Sequence, residues 1–187
     1  MTSNTSKHKD LSLKYKHLEA QDVEAYFAHS LRVFENSQEE GKLPFSPIGE
    51  MRINEEKKEK TIISLSKKIT APGWARIWGA WHNKTLLGAI KLDGPPFVSR
   101  LHRARLSISI DDANYWGLGI GSQLMETALG WAKKQTTLSW VDLGVFEGNH
   151  RAIRLYEKFK FKNFGCIVDD FRLNNISYNN IYMSKRL

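Results

Sequence analysis

The stretch Trp116-Gly-Leu-Gly-Ile-Gly-Ser122 stands between an alternating run that reads as a strand, Arg103 to Ile110, and a helical pattern, Ile120 to Lys134. Three glycines at alternate positions let the main chain curl tightly with its N–H groups turned to the inner side. Where such a curl opens a helix, those N–H groups lack internal partners and carry partial positive charge, which makes a seat for a phosphate or diphosphate. Two commoner phosphate loops fit badly. The nucleoside-triphosphatase loop ends in Gly-Lys-Ser/Thr, whereas Gly121 is followed by Ser122 and Gln123. The dinucleotide fingerprint has Gly or Ala where Ser122 stands and opens a repeated βαβ series that this chain lacks. Taken alone, the segment reads equally well as a turn that packs a helix close to a strand.

Working outward, Leu11 to Leu18 alternates apolar and polar residues as a half-buried strand does. Gln21 opens a helical pattern to Asn36 with Val23, Tyr26, Phe27, Ser30, Leu31 and Phe34 on one side, and Gly41 to Gly49 is a loop by its Gly and Pro content. A charged helix is predicted over Asn54 to Lys68, with Ile62, Ile63, Leu65 and Ile69 inward. From Trp74 the period changes to two, giving a hairpin of Trp74–His82 and Thr85–Leu92. After the glycine turn and its helix come a strand at Trp140–Val145, a helix at His150–Lys158, and two last strands at Gly165–Arg172 and Tyr178–Ser184. This order predicts an α+β fold: a mixed, mostly antiparallel seven-stranded sheet flanked by helices. Residues 1–10 read as a polar, disordered tail and residues 11–187 as a single domain.

Composition narrows the function classes. At 187 residues, 41% hydrophobic and 26% charged, the chain has the make-up of a soluble globular protein. No run approaches the ~18 apolar residues of a membrane-spanning helix. One cysteine, Cys166, excludes an internal disulfide and a cysteine-rich zinc site and suits a reducing cytoplasm, where the protein is expected. Six histidines show no metal-ligand spacing, so no metal is expected. The net charge of +8 implies attraction to anions, but the basic residues are dispersed, with local excess at Arg100–Arg105 and Arg151–Lys162. That dispersal argues against direct nucleic-acid binding, which favours one dense stripe or a recognisable module. Nothing marks a membrane partner, and a homodimer is compatible with the sequence, which shows no decisive interface.

Two segments together resemble a known family. Tyr115-Trp-Gly-Leu-Gly-Ile-Gly-Ser-Gln-Leu-Met125 is similar to the Arg/Gln-x-x-Gly-x-Gly/Ala motif of the GNAT superfamily of N-acetyltransferases. Val145-Phe-Glu-Gly-Asn-His-Arg-Ala-Ile-Arg-Leu-Tyr-Glu-Lys-Phe-Lys-Phe161 is similar to its Asn-x-x-Ala-x-x-Leu-Tyr-x-x-x-Gly-Phe motif. The resemblance runs from about Trp74 to the C-terminus. Two positions depart from it: Trp116 stands at the usual Arg or Gln, and Lys160 at the usual Gly, where the turn geometry is at stake rather than the chemistry.

The resemblance implies transfer of an acetyl group from acetyl-coenzyme A to a primary amine of a small molecule or a protein. It implies a cofactor arm lying where the strand ending at Ile110 splays from the strand ending at Val145, pairing with main-chain groups near Ser109 and Ile110 like an added strand. The Ile110 N–H would stabilise negative charge on the thioester oxygen, and the diphosphate would sit on the N–H groups of Gly117, Leu118, Gly119, Ile120, Gly121 and Ser122. Asn149 and Ala152, at the start of the following helix, are implied contacts of the arm. Asn149 also suits a helix N-cap. Tyr156 is the implied general acid, since a phenol can protonate a thiolate of comparable basicity, although its spacing equally completes an apolar face with Ala152 and Phe159. Glu35, Glu147, Asp111 and Asp169, or an ordered water, are candidate bases for the amine, and none is singled out. Arg151, Arg154 and Lys158 are candidate contacts for the cofactor's 3'-phosphate or a solvated basic face. The acceptor pocket is expected from Phe34 to Ile53 with help from Asp169 to Tyr178. A non-catalytic acyl-coenzyme A-binding module, or a ribosome- or nucleic-acid-associated protein on the same fold, is the alternative reading.

Overall fold

A computed structural model describes residues 11–37, 54–173 and 176–187. Seven strands form one sheet: β1 (Leu13–His17), β2 (Ala75–His82), β3 (Thr85–Asp93), β4 (Arg103–Ile110), β5 (Trp140–Phe146), β6 (Lys162–Leu173) and β7 (Ile176–Arg186). Four helices accompany it: α1 (Val23–Ser37), α2 (Glu55–Ser66), α3 (Ile120–Ala132) and α4 (His150–Lys158). The strand order is β1-β2-β3-β4-β5-β7-β6, antiparallel throughout except between β4 and β5. The predicted mixed sheet is therefore the observed one, with element limits displaced by at most three residues. The expected tail at residues 1–10 and the loop at 41–49 lie outside the described residues.

Apolar side chains divide between the two faces of the sheet. On one face Trp74, Trp78, Ile90, Leu92, Leu106, Val141 and Leu143 pack with Leu124, Met125, Ala128 and Ala132 of α3. On the other, Leu18, Ile77, Trp81, Leu86 and Ala89 meet Ala25 and Tyr26 of α1 and Leu65 of α2. Two helix expectations need correction. Ile62 and Ile63 do not face inward; both are exposed, and α2 buries no residue completely. At the C-terminal end of α2 the Arg76 guanidinium of β2 donates to the carbonyls of Leu65 (3.0 Å) and of Lys67 (2.8 Å), the residue that follows the helix. On α1, Leu31 is exposed while His29 is fully buried, because the helix is rotated to bring a polar stripe against β4.

The parallel pairing of β4 and β5 lasts three residues: Arg103 with Trp140, Ala104 with Val141, and Arg105 with Asp142. The closed end is pinned by charge, Arg103 Nε donating to Asp142 Oδ2 (2.6 Å), while Ser184 donates to Asp142 Oδ1 (2.7 Å). Beyond that point each strand continues bonded only to its outer neighbour, β4 to β3 as far as Ile110 and β5 to β7 as far as Phe146.

Helix α4 ends in a two-bond cap. Phe161 N–H bonds the Tyr156 carbonyl (3.0 Å) and Lys160 N–H the Glu157 carbonyl (2.8 Å), with the Tyr156 and Phe161 rings 6.0 Å apart. This arrangement needs a left-handed residue between them, and Lys160 supplies it at φ +64°. The turn survives the departure from glycine, at the expense of a strained lysine. Lys160→Gly is expected to raise stability by roughly 0.5–1 kcal/mol in urea unfolding, relief of strain exceeding the added chain entropy; an unchanged or lower midpoint would show that the position carries no strain.

Candidate active site

The glycine turn is built as its sequence demands. Gly117 (φ +79°) and Gly119 (φ +81°) are both left-handed, and a β-carbon on either would point into open space. The glycines are thus required by backbone conformation, with room left beside them. Gly119 is the N-cap of α3. Within residues 112–123 the turn bonds run from Tyr115 N–H to Asp112 O, Trp116 N–H to Ala113 O, and Gln123 N–H to Gly119 O. Among the described residues, no protein acceptor meets the N–H groups of Gly117, Leu118, Gly119, Ile120, Gly121 or Ser122. These six amides are bare at the positive end of a helix, and a phosphate-bearing group fits them.

Gly121 has a different task. A β-carbon there would come within 3.2 Å of Leu155 Cδ2 and 3.6 Å of Ile110 Cδ1. Its hydrogen therefore lets the first turn of α3 press against α4 and against the parted end of β4, so the amide seat and the gap between β4 and β5 adjoin.

The orientation of β4 follows from its ends. His102 O accepts from Ser139 and Trp140 on the β5 side, whereas Asp111 N–H donates to Leu87 O on the β3 side (2.8 Å). Because strand main-chain groups alternate between edges, the N–H and C=O of Ile108 and Ile110 turn toward the gap. Those of Ser109 turn toward β3, opposite Ala89, so at this position it is the side chain that bears on the site. Ser109 Oγ shares a 2.9 Å hydrogen bond with His29 Nε2 of α1.

Across the gap, Asn149 caps α4: its Oδ1 accepts from Ala152 N–H at 3.1 Å. That commits one face of the amide and the Ala152 amide to each other, and leaves Asn149 Nδ2 without a protein acceptor among the described residues. Tyr156 is 6% exposed and belongs to the main core with Phe161. Its hydroxyl has no protein partner among the described residues and still touches solvent. Burial pushes the phenol's pKa well above its ordinary value, so the group holds its proton at any working pH. Tyr156 is thus a core residue that keeps a protonated hydroxyl.

Three α1 residues spaced along one helical stripe grip the end of β4. Besides His29, Arg32 Nε donates to Asp111 Oδ2 (2.8 Å) and its Nη2 to Leu86 O (2.8 Å), and Asn36 Nδ2 donates to Asp111 O (2.8 Å). Asp111 Oδ1 is buried without a partner, and burial outweighs Arg32 in raising the carboxyl's pKa. The other acids differ. Glu35 is exposed on α1. Glu147 is exposed and accepts from Asn179 Nδ2 (2.8 Å). Asp169, at φ +55°, is held by Arg172 and by Ser177 (2.5 Å), contacts that lower its carboxyl to about 2 and make it a poor base. Most of the expected acceptor segment, residues 38–53, lies outside the described residues.

The sequence had marked the turn, Asn149 and Tyr156, and the structure brings these to one end of the sheet. The grip of α1 was missed, although the spacing of His29, Arg32 and Asn36, three and four apart along one helical stripe, is its signature. Among the described residues no group of three or more His, Cys, Asp or Glu is arranged to hold a metal, and no helix is long and apolar enough to cross a membrane.

The model of the acetyltransferase (GNAT) family matches residues 43–161. The chain belongs to that family. Among solved structures it is similar to a GNAT-family acetyltransferase from Streptococcus pneumoniae, at 22% identity and TM-score 0.79 over 94% of this chain and 99% of that one. It is similar also to a ribosomal-protein-alanine N-acetyltransferase from Brucella melitensis (19%, TM-score 0.72, 93% and 99%). A third similar fold is a putative acetyltransferase from Salmonella typhimurium solved with its cofactor acetyl-CoA (11%, TM-score 0.73, 94% of each chain). No curated protein matches.

Burial, reinforced by Arg32, lowers the His29 pKa from 6.5 to about 4. The fold therefore holds a neutral imidazole, and between these values the unfolded chain binds more protons. Stability from this site is complete above about pH 6.5 and is lost as pH falls toward 4. Between pH 7 and 5 the wild type should lose about 2 kcal/mol more than His29→Gln in urea unfolding; parallel losses would show that His29 is protonated in the native state.

Proposed function

We propose that this protein is an acetyl-CoA-dependent N-acetyltransferase that modifies a primary amine of a small molecule or a protein, in one domain spanning residues 11–187. The observation that carries the reading is the continuity of the bare amides at Gly117–Ser122 with the parted end of β4, joined through Gly121. Acetyl-CoA supplies the activated acetyl group. The six amides receive its diphosphate, and the main-chain groups of Ile108 and Ile110 receive the arm as a sheet strand would. Ser109 acts from the opposite side of β4, its hydroxyl holding the strand to His29. Asn149 Nδ2 and the Ala152 turn face the same arm from α4. The Ile110 N–H donates to the thioester oxygen as that atom gains negative charge.

Tyr156 donates its phenolic proton to the departing sulfur. Burial keeps the phenol protonated until transfer but also makes it a weaker acid, so the step relies on the departing thiolate being made more basic by the same desolvation; the solvent-touching hydroxyl allows reprotonation from water after each turnover. The amine must shed its own proton before attack. Asp111, which follows Ile110 and whose carboxyl burial holds above the ordinary range, is the carboxylate of the four that we assign to this step. A cytoplasmic location accords with the lone, unpaired Cys166.

Tyr156→Phe keeps the ring packing and removes the proton, so kcat should fall roughly 100-fold or more, with KM for acetyl-CoA little changed, in a free-thiol release assay across a panel of amines. Equal turnover would remove Tyr156 as the acid. Gly119→Val places a β-branched residue at φ +81° in the seat. Coenzyme A affinity should drop at least tenfold by calorimetry, and unchanged affinity would discredit the seat.

A further inference from the structure

Helix α4 meets the glycine turn and the first turn of α3 at three points. Gly121 of α3 meets Leu155 of α4, Ser122 Oγ accepts from Lys158 Nζ at 3.2 Å, and the Arg151 guanidinium lies 3.2 Å from the centre of the Trp116 indole. Positions 151, 155 and 158 share one face of α4, so this face lines the glycine turn from its entry to the first turn of α3. The indole is 41% exposed, and no carboxylate pairs with Arg151 among the described residues.

The charge arrangement is unfavourable as it stands. Arg151 occupies the first turn of α4, where a cation opposes the helix dipole, and it also lies at the residue that leads into the N-terminal turn of α3. Two positive helix ends and an arginine therefore converge with no protein anion to balance them. Stacking on Trp116 fixes the guanidinium in this position but neutralises nothing. A bound anion would relieve all three at once.

We propose that Trp116 is a positioning residue that holds Arg151 over the rim of the turn, so that Arg151 supplies the side-chain cation for the cofactor diphosphate. The turn has no arginine or lysine of its own between Tyr115 and Gln123, and the cation comes instead from α4, presented flat by the indole. Lys158 closes the other end of the same seat through Ser122. This inference rests on the acetyl-CoA reading above, and it reassigns Arg151 from the 3'-phosphate or solvent to the diphosphate.

The test is a double-mutant cycle of affinity for coenzyme A and for 3'-dephospho-coenzyme A. Trp116→Ala, which removes no charge, should weaken both ligands roughly fivefold, and Arg151→Ala roughly tenfold. The double variant should be no weaker than Arg151→Ala, because the indole acts only through the guanidinium. Arg151→Lys, which keeps the charge and loses the planar stack, should recover only part of the affinity; this variant serves also if Trp116→Ala folds poorly. Additive losses, or an unchanged Trp116→Ala, would overturn the proposal. So would a loss seen with coenzyme A and absent with the dephospho ligand, which would return Arg151 to the 3'-phosphate. A wild type that binds neither ligand would instead remove the seat itself, a separate failure.

Discussion

Everything in this molecule turns on two parallel strands that stop bonding after three residues. A sheet interior normally satisfies every main-chain N–H and C=O, and leaving them unpaired is costly. Here β4 and β5 are both central strands, yet from Leu106 and Leu143 onward they face each other without a pair. The parting is enforced from both ends. The Arg103–Asp142 pair with Ser184 holds the strands together at one end. At the other, α1 takes hold of Ser109 and Asp111 and keeps the end of β4 against β3. In the function proposed above, the unmet groups of Ile108 and Ile110 are the ones that would bind an extended ligand.

The chemistry proposed for this gap depends on which groups the fold keeps uncharged. Burial raises the Tyr156 phenol and lowers the His29 imidazole, so the first stays protonated and the second neutral. Charge is instead supplied where it meets solvent, by bare amides at the head of α3 and by Arg151 and Lys158 beside it. A neutral interior next to an electropositive rim suits a ligand with an anionic diphosphate at one end and an uncharged thioester at the other.

Much of this was legible one residue at a time. Alternation in Arg103–Ile110 and the period-two apolar runs of Trp74–His82 and Thr85–Leu92, which are buried on both faces, report strands, and the structure has strands there. Gly117 and Gly119 report left-handed backbone, which only glycine adopts freely. Asn149 as N-cap is a local hydrogen bond and so is visible locally. Ile62 and Ile63 misled, because helical spacing shows which residues share a face but not whether the sheet reaches that face. Lys160 misled in the opposite sense, since the pull of the Tyr156–Phe161 contact carries a lysine into a conformation that its own preference resists.

Local order was thus determined by the sequence itself: where strands alternate, where the chain must curl, and which residues begin a helix. These depend on interactions within a few residues, and they suffice to indicate a phosphate seat. Tertiary structure alone decided that β4 parts from β5 after Arg105, that Ser109 turns away from the gap while Ile110 turns into it, and that Arg151 lies on Trp116 from 35 positions away. Those outcomes arise from contacts between segments far apart along the chain. Their geometry is set by the packing of whole elements, which no window of sequence contains.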